Sequence, residues 1–175
     1  MNIRVGTICL LWSALALCSC DRFPDFVAMP EQRPRFDDPE RWERMVRMTD
    51  VDARDHFVSD IFEPLAANWR WTGKRPMILL NAPPNIQRAY RMEFVVPEQS
   101  FRVTGPVEIT FVVNGHVLDR KKYTAAGAYV FEKDVPPDWI ATGEASLGAE
   151  IDKVVPAPNG SAYGFLMVAI GLKRR

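Results

Sequence analysis

Val107-Glu108-Ile109-Thr110-Phe111-Val112-Val113-Asn114-Gly115-His116-Val117-Leu118 decides the fold class. Val107, Ile109, Phe111 and Val113 recur at every second position, the period of a strand with one buried face. Asn114-Gly115 follows where such a run must reverse. Both central residues of a tight hairpin turn need positive φ, and Asn-Gly supplies that at low cost. A return strand from His116 to Tyr123 is therefore expected, with Gly105-Pro106 opening the first one.

The same period extends outward in both directions. Upstream, Gln87 to Val96 places Tyr90, Met92, Phe94 and Val96 on one side and Arg91 and Glu93 on the other. Pro76 to Asn81 reads as a short apolar strand, and Trp69-Arg70-Trp71-Thr72-Gly73 as an alternating run that ends in a turn. Downstream, Ala128 to Lys133 stops at Pro136-Pro137, and Ser146 to Val155 stops at Pro156 and Pro158. Tyr163 to Leu172 is apolar on both faces, so a central strand is expected there. About seven to nine short strands with Pro and Gly between them predict a mainly β, antiparallel two-sheet β-sandwich over residues 57–175. Periodicity does not separate a jelly roll from an immunoglobulin-like topology. The missing Cys…Trp…Cys framework slightly favours the jelly roll.

The N-terminal part follows other rules. Asp38 suits a helix N-cap, Pro39 the first helical position and Glu40 the positive end of the dipole. Trp42, Met45 and Val46 then share a helical face, and Asp50 can cap a second short turn through His56. One or two short helices are expected within 38–56. Residues 20–37 read as a tether, with Pro24, Pro30 and Pro34, mixed charges and no apolar period. Phe23, Phe26 and Phe36 in it can pack on the domain or lie at a lipid interface.

Residues 1–19 read as a signal peptide: one positive charge at Arg4, then an apolar run from Val5 to Leu17. That run is too short to span a bilayer comfortably. Its end, Leu17-Cys18-Ser19-Cys20, resembles a bacterial lipobox. The resemblance implies cleavage before Cys20, a diacylglyceryl thioether on its sulfur, and anchoring in the cell-envelope membrane with the body facing the periplasm or exterior. Two or three acyl chains hold durably where one does not. The three cysteines, Cys9, Cys18 and Cys20, all lie at or before this site, so the body has no disulfide to rely on and must be held by its core.

Composition narrows the function. Lys and Arg together number 22, as do Asp and Glu, so the net charge is zero. Without a basic stripe, nucleic acid is not an expected partner. No Gly-x-Ser-x-Gly, His-Glu-x-x-His or P-loop occurs, and only His56 and His116 are present. Asp60 and Glu63 form the sort of carboxylate pair any such chain offers. No catalytic residue, metal site or cofactor is expected.

Glu63-Pro64, Trp69-Arg70-Trp71-Thr72-Gly73, Gly105-Pro106-Val107, Val113-Asn114-Gly115 and Gly164-Phe165-Leu166 to Ile170-Gly171-Leu172 carry a second resemblance. Over 57–172 the chain looks like a small galactose-binding-like jelly-roll module of bacterial envelope proteins. The resemblance implies a non-catalytic, carbohydrate-contacting module. Physics alone leaves three readings of Trp69 and Trp71: both core residues between the sheets, one buried and one at a rim, or a sugar platform with Arg75 or Glu93 as polar contacts. The partner is then a glycan or, alternatively, an envelope protein on which the sandwich docks in polysaccharide synthesis or export.

Overall fold

The computed structural model describes residues 44–63, 67–156 and 160–175. Its strands are β1 (Arg44–Arg47), β2 (Phe57–Ile61), β3 (Arg70–Asn81), β4 (Arg88–Val96), β5 (Val107–Val113), β6 (His116–Tyr123), β7 (Gly127–Val135), β8 (Glu144–Ile151), β9 (Val155–Pro156), β10 (Ala162–Tyr163) and β11 (Leu166–Arg174). Among the described residues, nine of these join in the order β6-β5-β8-β3-β11-β4-β7, with β1 on β11 and β2 on β3. Strands β9 and β10 form a separate ribbon. Every pairing is antiparallel.

The nine strands fold into two layers, β1-β11-β4-β7 and β2-β3-β8-β5-β6. Only Arg70 and Trp71 of the long β3 pair with β11, and they link the layers at one corner. Across the layers, Phe111 of β5 stacks on Phe131 of β7 at 3.5 Å. Tyr90 of β4 meets Phe111 edge-on at 5.9 Å and donates its hydroxyl to the Gly148 carbonyl of β8 at 3.1 Å. Sequence-distant neighbours (β8 between β3 and β5, β11 between β3 and β4) make this a jelly-roll-type sandwich. The expected fold class is the observed one.

The alternations hold in detail. Tyr90, Met92, Phe94 and Val96 are buried, as are Val107, Ile109, Phe111 and Val113. Asn114 and Gly115 take φ of 46° and 80°, the hairpin geometry read from the sequence. The Asn114 side chain also ties three elements together. Its Nδ2 donates to the Trp139 and Glu144 carbonyls at 2.7 and 3.1 Å, and its Oδ1 accepts from the Ser146 N–H at 2.6 Å.

Three expectations need correction. Residues 44–47 are strand β1, not helix, so the sheet starts before residue 57; Asp38, Pro39 and Trp42 lie outside the described residues. Val46 and Met48 are buried, and β1 pairs with Ala169–Leu172, so a vacant sheet position overrides the helical period. Gly171 makes room, since a Cβ there would collide with the Arg44 carbonyl. Asp50 does close a turn, accepting from the Arg47 N–H at 2.8 Å ahead of a 3-10 turn at Ala53–His56. Second, Gly73 does not end a strand. β3 runs through it, and its missing side chain admits that of Asp60. Third, an unexpected helix α1 (Glu98–Thr104) follows β4, closed by Gly105 at φ 64°.

Candidate functional site

Apart from Lys74, which is exposed, the even-numbered residues of β3 face inward: Arg70, Thr72, Pro76, Ile78 and Leu80 are buried. Trp71 therefore lies on the outer side, as alternation requires. Register puts it in one row with Leu166 and Val95. Trp69 and Trp71 are both half-buried, which is neither core nor open platform. Their rings meet at 6.0 Å and 82°, so they form a corner and not one flat surface.

A third ring completes the corner. Tyr163 of β10 stacks on Trp71 at 4.7 Å and 26°, and Phe62 meets Tyr163 edge-on at 5.9 Å. The backbone fixes this arrangement. The Gly164 N–H donates to the Thr72 carbonyl at 2.8 Å, and the Thr72 N–H to the Phe165 carbonyl at 2.9 Å. Thr72 Oγ1 also donates to the Phe165 carbonyl at 2.9 Å and accepts from the Phe165 N–H at 3.1 Å. Gly164 permits the approach, because a Cβ there would run into the Gly73 carbonyl. The Phe62 N–H donates to the Trp71 carbonyl at 2.9 Å.

Beside this corner lies a cleft of ≈ 390 Å³ lined by Trp71, Gln99, Ser100, Val155 and Tyr163. Its aromatic wall can stack on the C–H face of a sugar, and its amide and hydroxyl groups can both donate and accept. Behind the strand, Arg70 points inward and is 5 % exposed. Its Nη1 is 2.8 Å from Glu63 Oε1, and its guanidinium lies 5.3 Å over the Phe57 ring. Arg54 Nε shares the same Glu63 oxygen at 2.8 Å.

The other two site candidates are elsewhere. Arg75 pairs with Glu150 at 3.0 Å and lines a separate groove of ≈ 490 Å³ with Met77, Thr110, Val112, Arg120 and Glu150. Glu93 is held by Arg91 at 2.8 Å, and Arg91 also binds Glu132 at 2.8 Å. These hydrogen bonds, Glu132's first, raise the Arg91 pKa, and Arg91's bond lowers that of Glu132. Neither Arg75 nor Glu93 lines the aromatic cleft. Sequence reasoning missed Tyr163, Phe62 and Gln99. By sequence Tyr163 reads as part of the last strand, although Gly164 behind it marks a break; Gln99 sits on α1, which the strand pattern does not announce.

Among the described residues no group of three or more His, Cys, Asp or Glu side chains is placed to hold a metal ion. No helix of the described residues is long and apolar enough to cross a membrane. Cys20 lies outside the described residues.

No protein-family model matches this sequence, and no curated protein matches it either. Solved structures do resemble it. A family 35 carbohydrate-binding module from an environmental isolate is 13% identical, with a TM-score of 0.49, covering 74% of this chain and 92% of that one. A native family 35 carbohydrate-binding module from Clostridium thermocellum is 11% identical at TM-score 0.46, covering 77% and 99%. A family 35 module in complex with a glucuronic acid-containing disaccharide is 8% identical at TM-score 0.42, covering 73% and 91%. At such identities no residue is carried from these modules to this chain.

Proposed function

We propose that this is a cell-envelope lipoprotein, anchored through lipidated Cys20, whose non-catalytic β-sandwich binds carbohydrate at the Trp71–Tyr163 corner, with Trp69 beside it. The observation that carries the binding reading is an aromatic wall on the solvent side of a sheet, locked by paired backbone and bordered by uncharged polar groups. Sugars stack their C–H faces on such walls and pair their hydroxyls with such groups. The carboxylates nearest in sequence already have work. Asp60 accepts the Arg75 N–H at 2.7 Å, and Glu63 bridges Arg54 and Arg70. That supports a holding site over a hydrolytic one. The anchor reading rests on Leu17-Cys18-Ser19-Cys20 after an apolar run.

Val117 on edge strand β6 and Val130 on edge strand β7 are half-exposed, which favours protein docking as a second reading. Both edges also carry charges (Arg120, Lys121 and Lys122; Glu132, Lys133 and Asp134), the usual guard against edge pairing. The glycan reading therefore stands ahead. Its test is a glycan array with the detergent-solubilised full chain and its Trp71→Ala variant. Binding of about micromolar to millimolar strength, lost in the variant, is expected. A wild type that captures no glycan sinks it. For the anchor, Cys20→Ala should abolish lipid labelling and membrane fractionation, and a variant that keeps both refutes it.

A further inference from the structure

We infer that the Trp71–Tyr163 cleft selects uncharged sugar units over acidic ones, and that Gln99 sets this choice. The inference rests on the carbohydrate-binding reading above and narrows its substrate class. Five residues line the cleft, and none is charged: Trp71, Gln99, Ser100, Val155 and Tyr163. The charges on neighbouring segments are committed elsewhere. Glu98 and Arg102 pair with each other along α1. Lys153 Nζ donates to the Thr104 and Pro106 carbonyls at 3.1 and 2.6 Å. Arg70 faces inward toward Glu63, and Arg75 is bound to Glu150.

A uronic acid carboxylate entering this cleft would meet no cation among the described residues that line it. A charge that gives up part of its water without gaining a partner is disfavoured. Hydroxyls meet a different environment. Each is both donor and acceptor, and the Gln99 amide offers both a donor and an acceptor on one planar group. Two adjacent hydroxyls on one ring can therefore be held by one side chain while the ring stacks against Tyr163 or Trp71. The volume, ≈ 390 Å³, falls at the small end of ligand sites and suits a short saccharide.

The test is calorimetric titration of the detergent-solubilised full chain with gluco- and galacto-oligosaccharides, against oligoglucuronate and oligogalacturonate of equal length. Wild type should prefer a neutral series by about tenfold or more. Gln99→Ala should weaken neutral binding about fivefold with no change in melting temperature, since the residue is exposed on a short helix. Gln99→Arg should move the preference toward the uronates. Uronates bound as tightly as neutral sugars, or wild-type affinity in Gln99→Ala, overturns the inference and leaves carbohydrate binding intact. Binding of neither class removes the inference together with the reading beneath it.

Discussion

Two aromatic clusters in this molecule use similar rings differently. Tyr90, Phe94, Phe111, Phe131 and Phe165 lie between the layers, almost without solvent contact, drawn from three strands (β4, β5 and β7) and the segment that leads into β11. Phe62, Trp69, Trp71 and Tyr163 lie on the outside of the β3 corner, half-buried, and touch mainly one another. The inner rings are held by packing from all sides. The outer rings are held by the backbone beneath them, through Thr72, Gly164 and Phe165. The difference teaches that ring chemistry does not assign a role. What matters is whether the ring's own surface closes the fold or its support leaves that surface free.

The sharpest way to break the comparison is to truncate one ring of each kind. Phe111 touches Tyr90, Phe94 and Phe131, so Phe111→Ala leaves a cavity where the layers meet. A loss of about 3–5 kcal/mol is expected. Urea unfolding followed by circular dichroism should show it. A loss below about 0.5 kcal/mol, the usual size at surface sites, would mean the inner cluster is not what joins the layers.

Alkali provides a second test of the inner cluster. Burial is the main reason the Tyr123 phenol is pushed up to about 12, with Tyr129 and Asp119 adding to it. Burial likewise holds the Tyr90 phenol well above its ordinary value, with a smaller contribution from Tyr123. Unfolded tyrosines ionise near pH 10, so between that value and the folded one the unfolded state releases protons that the folded state keeps. Stability is therefore complete below about pH 10 and falls as pH rises toward 12. Denaturant midpoints measured from pH 8 to 11.5 should decline only in the upper part of that range. In Tyr123→Phe the decline should be shallower.

Truncating the outer ring should separate stability from binding. Trp71→Ala removes a half-buried stack on Tyr163, a cost of about 1–2 kcal/mol by ring contact and partial burial. Glycan affinity should disappear while the chain stays folded at room temperature. A Trp71→Ala chain destabilised as much as Phe111→Ala would place Trp71 with the structural rings, and the protein-docking reading would gain.

Much of this was readable from residue order. Period-two runs at 88–96 and 107–113 needed only local chemistry, and so did the Asn114-Gly115 turn; the structure keeps all three. β1 was not readable because Met45 and Val46 fit a helical face as well as a strand. The deciding fact is a vacant place beside β11, which is a long-range one. The alternation of Trp69 and Trp71 told which side they face, yet not the 82° between their rings. Tyr163 is about ninety residues from Trp71 in sequence, and only the Thr72–Phe165 hydrogen bonds bring it there. Gln99 was hidden differently. Glu98 in the first turn and Gly105 beyond the last residue are ordinary helix signals, passed over between two strong strands.

The smallest expected effect concerns Glu93, which by residue type alone was as good a sugar contact as any. Its carboxylate is about one-third exposed and is spent on Arg91, bound through both Nε and Nη2 at 3.0 and 2.8 Å. Arg91 keeps a second partner in Glu132, so removing Glu93 leaves no orphaned cation. A partly exposed pair of this kind contributes about 0–1 kcal/mol. Glu93→Gln should therefore lower stability by no more than that, and lower it less at high salt, where the pair is already screened. Because Glu93 does not line the aromatic cleft, glycan affinity should equal that of wild type. A clear loss of affinity in Glu93→Gln would extend the binding surface along β4, past Val95, and would show that the corner is one end of a longer site.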